Sequence, residues 1–287
     1  MTRAQAQWLL LGVSLLAALG WPVTKIGIQY FEPMTFMGLR FLAVGVLLLP
    51  WALPGFAWPA FRDSCIIGLT MIASTTLWVM AVDSAEDLGL AGFVIAMGMV
   101  LSPLYSHFLY GERVDRRFWI RLAITAAGGL LMVSEFKLDN FLLFVGAAAL
   151  FGWQITLISH QGKSHNTVTV GFGQMVTIGV GLLALGIVFE DPSHLRDVSV
   201  EGWQWLIFAG IGLTAARFLL QIKAQRHVSH QDASFLLNLE SVFVLAVTWW
   251  WFDEQHGLWA LVGAAFVFAG AAWPMRARQI TPTKKPA

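Results

Sequence analysis

The sequence predicts an all-α integral membrane protein whose ten transmembrane helices form a 5+5 inverted repeat around a central cavity, with both termini in the cytoplasm. Three observations predict this fold. Hydrophobic residues make up 57% of the 287-residue chain and charged residues only 12%, about half the roughly 25% that soluble domains contain. Ten apolar segments approach the roughly 20 residues that a helix needs to cross the bilayer. The loops between these segments alternate in charge.

The ten apolar segments follow one another with short polar connections. The first segment is long enough to be a retained helix, although a secretory signal can also begin with a basic residue such as Arg3. Pro22 in the first segment and Pro103 in the fourth predict bends, because proline removes a backbone hydrogen bond. The connection 190–202 is too short to fold alone. In chain order the segments span residues 8–28, 34–53, 64–82, 88–110, 118–134, 141–159, 168–189, 203–222, 233–252 and 257–275.

The loop charges predict the orientation of the chain. Thirteen of the 18 Lys and Arg residues lie in the two terminal segments and in every second loop. Lys137 and Arg196 lie in the other loops, and Lys25, Arg40 and Arg217 lie inside apolar segments. Because positively charged loops stay in the cytoplasm, both termini are predicted there. The acidic clusters fall on the opposite, outer side, at Asp83, Glu86 and Asp87, Glu135 and Asp139, Glu190 and Asp191, and Asp253 and Glu254.

The two halves of the chain resemble each other. A shift of 132 residues lays Gly20-Trp21 and Thr24 over Gly152-Trp153 and Thr156, and a shift of 142 lays Gly111-Glu112-Arg113 over Asp253-Glu254-Gln255. Because five crossings is an odd number, the second half must enter the membrane from the opposite side. We therefore divide the single membrane domain into repeats at 1–137 and 138–287, the second with a short basic cytoplasmic tail. Inverted repeats commonly build a transport pathway near the bilayer midplane.

Several motifs resemble those of the EamA branch of the drug/metabolite transporter superfamily. These are the run Gly38-Leu39-Arg40-Phe41-Leu42-Ala43, the sequence Gly111-Glu112-Arg113 after segment 4, and Leu239-Glu240-Ser241-Val242-Phe243 followed by Asp253-Glu254. The resemblance covers residues 8–275 and implies ten helices around a cavity, alternating access and efflux of small metabolites. The chain departs from the family at two prolines: Met99 stands where one is frequent, with Pro103 a turn later, and Ser241 replaces the other.

Charged residues inside the apolar segments are the strongest site candidates. A charge at the bilayer centre costs about 2.5–3.5 kcal/mol on insertion scales and calls for a partner or a wet cavity. Glu240 could take up a proton, bind a substrate amine, pair with Arg40 or Lys25, or serve as a structural carboxylate. Arg40 can bind a carboxylate or phosphate through two hydrogen bonds, or it can donate hydrogen bonds to carbonyls at a helix end. The long side chain of Lys25 can extend to the lipid headgroups. Arg217 is a candidate cytoplasmic gate or an interfacial anchor.

Polar and aromatic residues complete the predicted substrate-binding cavity. Trp21 and Trp153 lie too deep for the interfacial tryptophan belt, whereas that belt also accounts for Trp78. Hydrogen bonds between helices explain the polar residues Gln154, Gln174, Asn238 and Ser241 as well as substrate binding does. The predicted cavity residues are Trp21, Lys25, Arg40, Trp78, Trp153, Gln154, Gln174, Asn238, Glu240 and Ser241.

The sequence predicts no cofactor, no metal site and no nucleic-acid partner. Cys65 is the sole cysteine, His227 and His230 are expected to be solvated, and no HExxH, GxSxG or P-loop pattern occurs. We therefore predict a non-enzyme of the bacterial inner membrane, a monomer or homodimer, that exports amino acids or aromatic and amphipathic compounds, with protons as a candidate coupling ion. The alternative is an integral-membrane enzyme acting on a lipid or isoprenoid-linked substrate.

Overall fold

The computed structural model describes residues 1–111, 116–161, 167–225, 227 and 236–272, and the secondary structure in these ranges is helical. The eighth helix, α8, is continuous but changes type: it is α-helical over Val200–Ile207, a π-helix over Phe208–Ala215 and α-helical again over Ala216–Gln225. The others are α1 (Arg3–Gly27), α2 (Pro33–Ala52), α3 (Trp58–Ser84), α4 (Ala91–Tyr110), α5 (Arg116–Met132), α6 (Leu138–Gln161), α7 (Thr167–Phe189), α9 (Glu240–Phe252) and α10 (Leu258–Ala272).

Eight of the described helices are long and apolar enough to cross a membrane, which confirms the prediction of an all-helical integral membrane protein. They correspond to α1 through α8. Two shorter apolar helices, Leu236–Phe252 and Leu258–Gly270, follow. The start that we predicted for the ninth segment, at residue 233, lies outside the described residues.

Several helices begin earlier than their apolar segments because polar and proline residues start them. α3 begins at Trp58 with Pro59 in its first turn, where the missing amide hydrogen of proline costs nothing. α8 begins at Val200 because the Ser199 side chain accepts a hydrogen bond from the Gly202 amide and so caps the helix. Hydropathy alone does not register such starts.

The loops that follow α1, α3, α5, α7 and α9 gather at one end of the bundle, which we call the acidic end. Glu190, after α7, accepts hydrogen bonds from the amides of Met34 at 2.6 Å and Thr35 at 2.9 Å and thereby caps α2. Lys137, after α5, forms an exposed ion pair with Glu86, after α3, at 2.6 Å. The opposite end, which carries Arg62 and Lys223, is the basic end.

Glycines allow two helix pairs to approach closely. A Cβ atom built on Gly128 of α5 would lie 2.6 Å from the carbonyl oxygen of Gly263 in α10, and one on Gly263 would lie 2.6 Å from the Gly128 carbonyl oxygen. On α2, a Cβ atom at Gly38 would meet Leu183 of α7 at 2.7 Å. Backbones in contact at this range leave no room for any larger residue, and small residues are the usual means of packing membrane helices.

Candidate functional site

A cluster of charged and aromatic side chains joins α1, α2, α8 and α9 inside the bundle. The Glu240 carboxylate accepts a hydrogen bond from Trp21 Nε1 at 3.3 Å and another, to its second oxygen, from Arg217 Nη2 at 3.1 Å. Glu240 therefore pairs with Arg217, whereas the sequence had offered Arg40 and Lys25 as its partners. The side chains of Arg217 and Glu240 remain 39% and 25% exposed, so water or a ligand can reach this ion pair.

The backbone around Glu240 is irregular. A helical turn at 236–238 is interrupted at Leu239, and regular helix resumes at Glu240. The Ser241 hydroxyl donates to the carbonyl of Asn238 at 2.9 Å. The interruption is slight, since the backbone of Leu239 keeps right-handed helical angles, with φ −65° and ψ −12°. Glu240 lies in the first turn of α9, where the positive end of the helix dipole favours a carboxylate.

Arg40 is buried beside this ion pair, with only 8% of its surface exposed. Its Nε donates to Thr214 Oγ1 at 2.7 Å and its Nη1 to Thr24 Oγ1 at 2.8 Å. Gly20 makes room for the guanidinium, since a Cβ atom there would lie 3.3 Å from Arg40 Nη2. Both hydrogen-bond partners of Arg40 are uncharged hydroxyl groups. Its third nitrogen, Nη2, has no hydrogen-bond partner among the described residues. Arg40 is therefore a buried cation whose charge is not balanced by a carboxylate of its own.

The π-helical part of α8 positions the residues that meet Arg40 and Glu240. Thr214 lies within this part, and its hydroxyl donates to the carbonyl of Ala209, five residues earlier, at 2.8 Å. Arg217 follows one turn later. Because a π-helix rotates all later side chains relative to an α-helix, it determines which of them face α1 and α2. Such bulges occur frequently at functional sites.

The two deep tryptophans occupy different environments. Trp21 is buried, with the ring of Trp78 edge-on at 5.1 Å and that of Phe144 stacked at 6.3 Å. Trp153 is 37% exposed and packs on Tyr105, with ring centroids 5.5 Å apart. The structure therefore brings Trp21 and Trp78 to the Glu240 cluster, whereas Trp153 lies on the α4–α6 side.

α4 and α6 touch directly at Gly98 and Gly152. A Cβ atom at either position would clash with backbone of the facing helix. The shifts that relate the two halves of the sequence place Gly98 against Glu240 and Gly152 against Gly20. Where the predicted repeat would put a counterpart of the Glu240 cluster, the structure therefore has a tight backbone contact.

The remaining predicted residues lie apart from the cluster or have structural partners. Lys25 Nζ donates to the carbonyls of Val82, Asp83 and Ala85 at 2.8, 2.6 and 3.0 Å, and so caps the end of α3 at the acidic end. Gln154 and Gln174 are buried in α6 and α7, outside the helices α1, α2, α8 and α9 that the cluster joins.

Sequence reasoning missed two members of the site, Thr24 and Thr214. Thr24 appeared in the comparison of the two halves, yet nothing in its spacing predicted that its hydroxyl would accept a hydrogen bond from Arg40. Thr214 carried no signal, because its position depends on the π-helix.

A separate cavity of about 350 Å³ lies at the acidic end, between the loops after α1 and α7.

The chain matches a transporter family and is similar to proteins that are named as transporters. The model of the EamA-like transporter family matches residues 5–134 and 140–275. The chain is 28% identical to an uncharacterized transporter of Archaeoglobus fulgidus over 238 residues, 81% of this chain and 74% of that protein. It is also 28% identical to the uncharacterized inner membrane transporter YedA of Escherichia coli K12, over 56% of this chain and 51% of YedA. Both relatives are named as transporters.

A solved structure shows the same fold. This crystal structure of a protein superposes on 94% of the chain, and the matched region is 97% of the solved chain. The TM-score is 0.61 and the sequence identity is 18%.

Proposed function

The chain belongs to the EamA-like transporter family, and from that premise we propose that it exports small organic metabolites by alternating access. It is a multi-pass inner-membrane protein, like its relative YedA. As substrates we propose amino acids or other aromatic and amphipathic compounds, because the Glu240 cluster combines an acid, two guanidinium groups and an indole.

The single observation that carries this proposal is the charge balance of the cluster. Arg217 is paired with Glu240, whereas Arg40 has only the hydroxyls of Thr24 and Thr214. Two cations and one anion leave an excess positive charge, and buried charges are stable only when they are paired and hydrogen-bonded. A substrate carboxylate would supply the missing anion, with the guanidinium as its natural partner. Glu240 could hold an ammonium group or a proton once its ion pair with Arg217, which is partly exposed, opens.

The inverted 5+5 repeat of ten helices is part of the same proposal. Two stretches of the chain match the family model, one within each proposed half. The helix packing also supports it: α1 packs against α8 and α9 just as α6, its proposed counterpart, packs against α3 and α4. The aligned Thr24 and Thr156 each donate to the glycine carbonyl four residues earlier, at 2.6 and 3.0 Å.

We further propose that the acidic end faces outward and that both termini are cytoplasmic. Among the described residues, Arg3, Arg62, Arg116 and Lys223 lie at the basic end, as expected of the cytoplasmic side. At the acidic end, Glu190 holds the start of α2 and Glu254 accepts hydrogen bonds from the amides of Leu88 and Gly89, both at 2.9 Å. Each contact joins the second half to the first. Opening of the outer side in alternating access would require these contacts to break.

Counterflow in proteoliposomes tests the proposed function. Purified protein is reconstituted into vesicles preloaded with one member of a panel of amino acids, aromatic compounds and the amides of the same amino acids. We expect exchange of a carboxylate-bearing member and at least tenfold slower exchange of its amide. Arg40→Met should abolish exchange. The control Arg62→Met, which removes an exposed cation beside Asp63, should leave exchange unchanged.

The competing function is an enzyme acting on a lipid or isoprenoid-linked substrate. Turnover of such a lipid, with no exchange of any panel member, would contradict the transporter proposal. Equal exchange of amino acids and their amides would instead leave transport standing and contradict the role of Arg40.

A further inference from the structure

A second polar cluster lies at the acidic end, away from the Glu240 site. Asp87, in the loop after α3, meets Glu254 and His256, in the loop after α9. Each of the three offers one ligand atom, and these atoms all lie within 4.8 Å of one another. Asp87 belongs to the first half of the chain and the other two belong to the second half.

The imidazole of His256 points to a ligand at this cluster. Its side chain is only 4% exposed, and its Nε2 is buried with no hydrogen-bond partner among the described residues. Its Nδ1 lies 2.7 Å from an Asp87 carboxylate oxygen, but the angles do not satisfy a hydrogen bond. A buried polar nitrogen without a partner costs about 1–3 kcal/mol. The cluster therefore lacks a ligand that the His256 nitrogen and the neighbouring carboxylates could bind together.

The ligand atoms converge above Gly89. Glycine at this position lets polar side chains approach the backbone closely, since a Cβ atom there would lie 2.8 Å from Thr248 Oγ1 and 3.0 Å from both Glu254 Oε2 and His256 Nε2. The carboxylates are already oriented by backbone amides: Glu254 accepts from Leu88 and Gly89, and Asp87 accepts from Leu90 at 3.4 Å. Such outer-shell hydrogen bonds are typical of metal ligands.

We propose that Asp87, Glu254 and His256 bind a divalent transition-metal ion, Zn²⁺ by their ligand chemistry, which joins the outer ends of the two halves. One imidazole and two carboxylates suit zinc, whereas Mg²⁺ and Ca²⁺ prefer oxygen ligands alone. In a tetrahedral zinc site with bonds of about 2.0–2.2 Å, two ligand atoms lie about 3.3–3.6 Å apart. The three ligand atoms, now within 4.8 Å of one another, would therefore approach each other by up to roughly 1.5 Å when zinc binds, and a water molecule would take the fourth position.

Three carboxylates act on one imidazole at this cluster, because Glu135 also lies close enough to His256 to interact with it electrostatically. A divalent ion would relieve the mutual repulsion of these acids.

Zinc titration of the purified full-length protein tests this site. The protein is prepared without a histidine tag, stripped with EDTA and titrated with ZnCl₂ by calorimetry. We expect saturable one-to-one binding and a rise in Tm with zinc, because a ligand that binds only the folded state stabilises it. His256→Gln and Glu254→Gln should each weaken zinc binding at least tenfold. His194→Gln, which alters an exposed histidine paired with Glu32, should bind zinc like the wild type.

Two results would overturn the site. Absence of saturable zinc binding to the wild type would mean that His256 and its acids form only an ionic cluster. An equal rise in Tm with Mg²⁺ and Zn²⁺ would exclude a role for the imidazole. Because this comparison uses the unmodified chain, it remains decisive even if a variant fails to fold.

Discussion

Glu240 shares its carboxylate between the Trp21 indole and the Arg217 guanidinium. If Glu240 carries the coupling proton, Glu240→Gln mimics its protonated form permanently. We expect this variant to keep substrate counterflow and to lose any stimulation of flux by a pH gradient in proteoliposomes. Retention of the wild-type gradient dependence would show that the proton moves elsewhere or not at all. Asp63→Asn, at the exposed basic end of α3, provides the matched control.

Arg40 depends on the two threonine hydroxyls because they are its described hydrogen-bond partners. Thr214→Val removes the acceptor for Arg40 Nε without a large change in volume. Hydrogen bonds to charged groups contribute about 1.5–3 kcal/mol, so we expect a clear loss of Tm in detergent. The control Thr76→Val removes a hydroxyl whose sole partner within the described part of the chain is the Ile72 carbonyl of its own helix, and it should have a smaller effect. Equal losses would mean that Thr214 is not a specific support for Arg40.

At the scale of helix pairs, the α5–α10 contact depends on Gly128 and Gly263. Gly128→Ala would place a methyl group 2.6 Å from the Gly263 carbonyl oxygen, and overpacking typically costs about 1–3 kcal/mol. Gly12→Ala in α1 meets no atom within 4 Å and should stabilise by roughly 0.5–1 kcal/mol through helix propensity. Thermal unfolding of both variants should therefore give shifts of opposite sign. A loss of Tm in Gly12→Ala as large as in Gly128→Ala would contradict this account.

The start of α2 depends on Glu190 of the other half. Its carboxylate accepts from the Met34 and Thr35 amides and from the Thr35 hydroxyl, at 2.6–2.9 Å. Glu190→Ala should lower stability by about 1–2 kcal/mol, as loss of a helix cap does. Glu86→Ala, which removes an exposed ion pair with Lys137, should change Tm little, because surface pairs contribute little. Comparable losses in the two variants would show that Glu190 acts only as a surface charge.

At the scale of the whole molecule, the single cysteine makes the proposed orientation easy to test. Cys65 is replaced by serine, and one cysteine is then introduced at Ser193 of the acidic end or at Arg62 of the basic end. Intact cells are treated with a membrane-impermeant maleimide. We expect labelling of Ser193→Cys in intact cells and of Arg62→Cys only after lysis. The reverse pattern would invert the topology.

Much of the architecture was predictable from local composition. Eight of the ten predicted apolar segments coincide with described helices long enough to cross a membrane, and the last two overlap shorter described helices. The family resemblance is confirmed by the family match. Hydropathy is a local property that sums along the chain, so a span can be recognised without knowing its neighbours. The helix starts at Trp58 and Val200 were missed because they depend on proline and a capping serine.

The partners within the site were decided only by the tertiary structure. Arg217 was expected near the cytoplasmic end, yet it pairs with Glu240, and Arg40 meets two threonines from other helices. These contacts depend on which helices meet and on how far each is rotated about its axis, and the π-helix in α8 changes that rotation. His256 likewise became a candidate ligand only because the fold places the loop after α9 beside the loop after α3. The sequence by itself determined that the chain lies in the membrane and which charges it must accommodate there. The fold decided how those charges are paired.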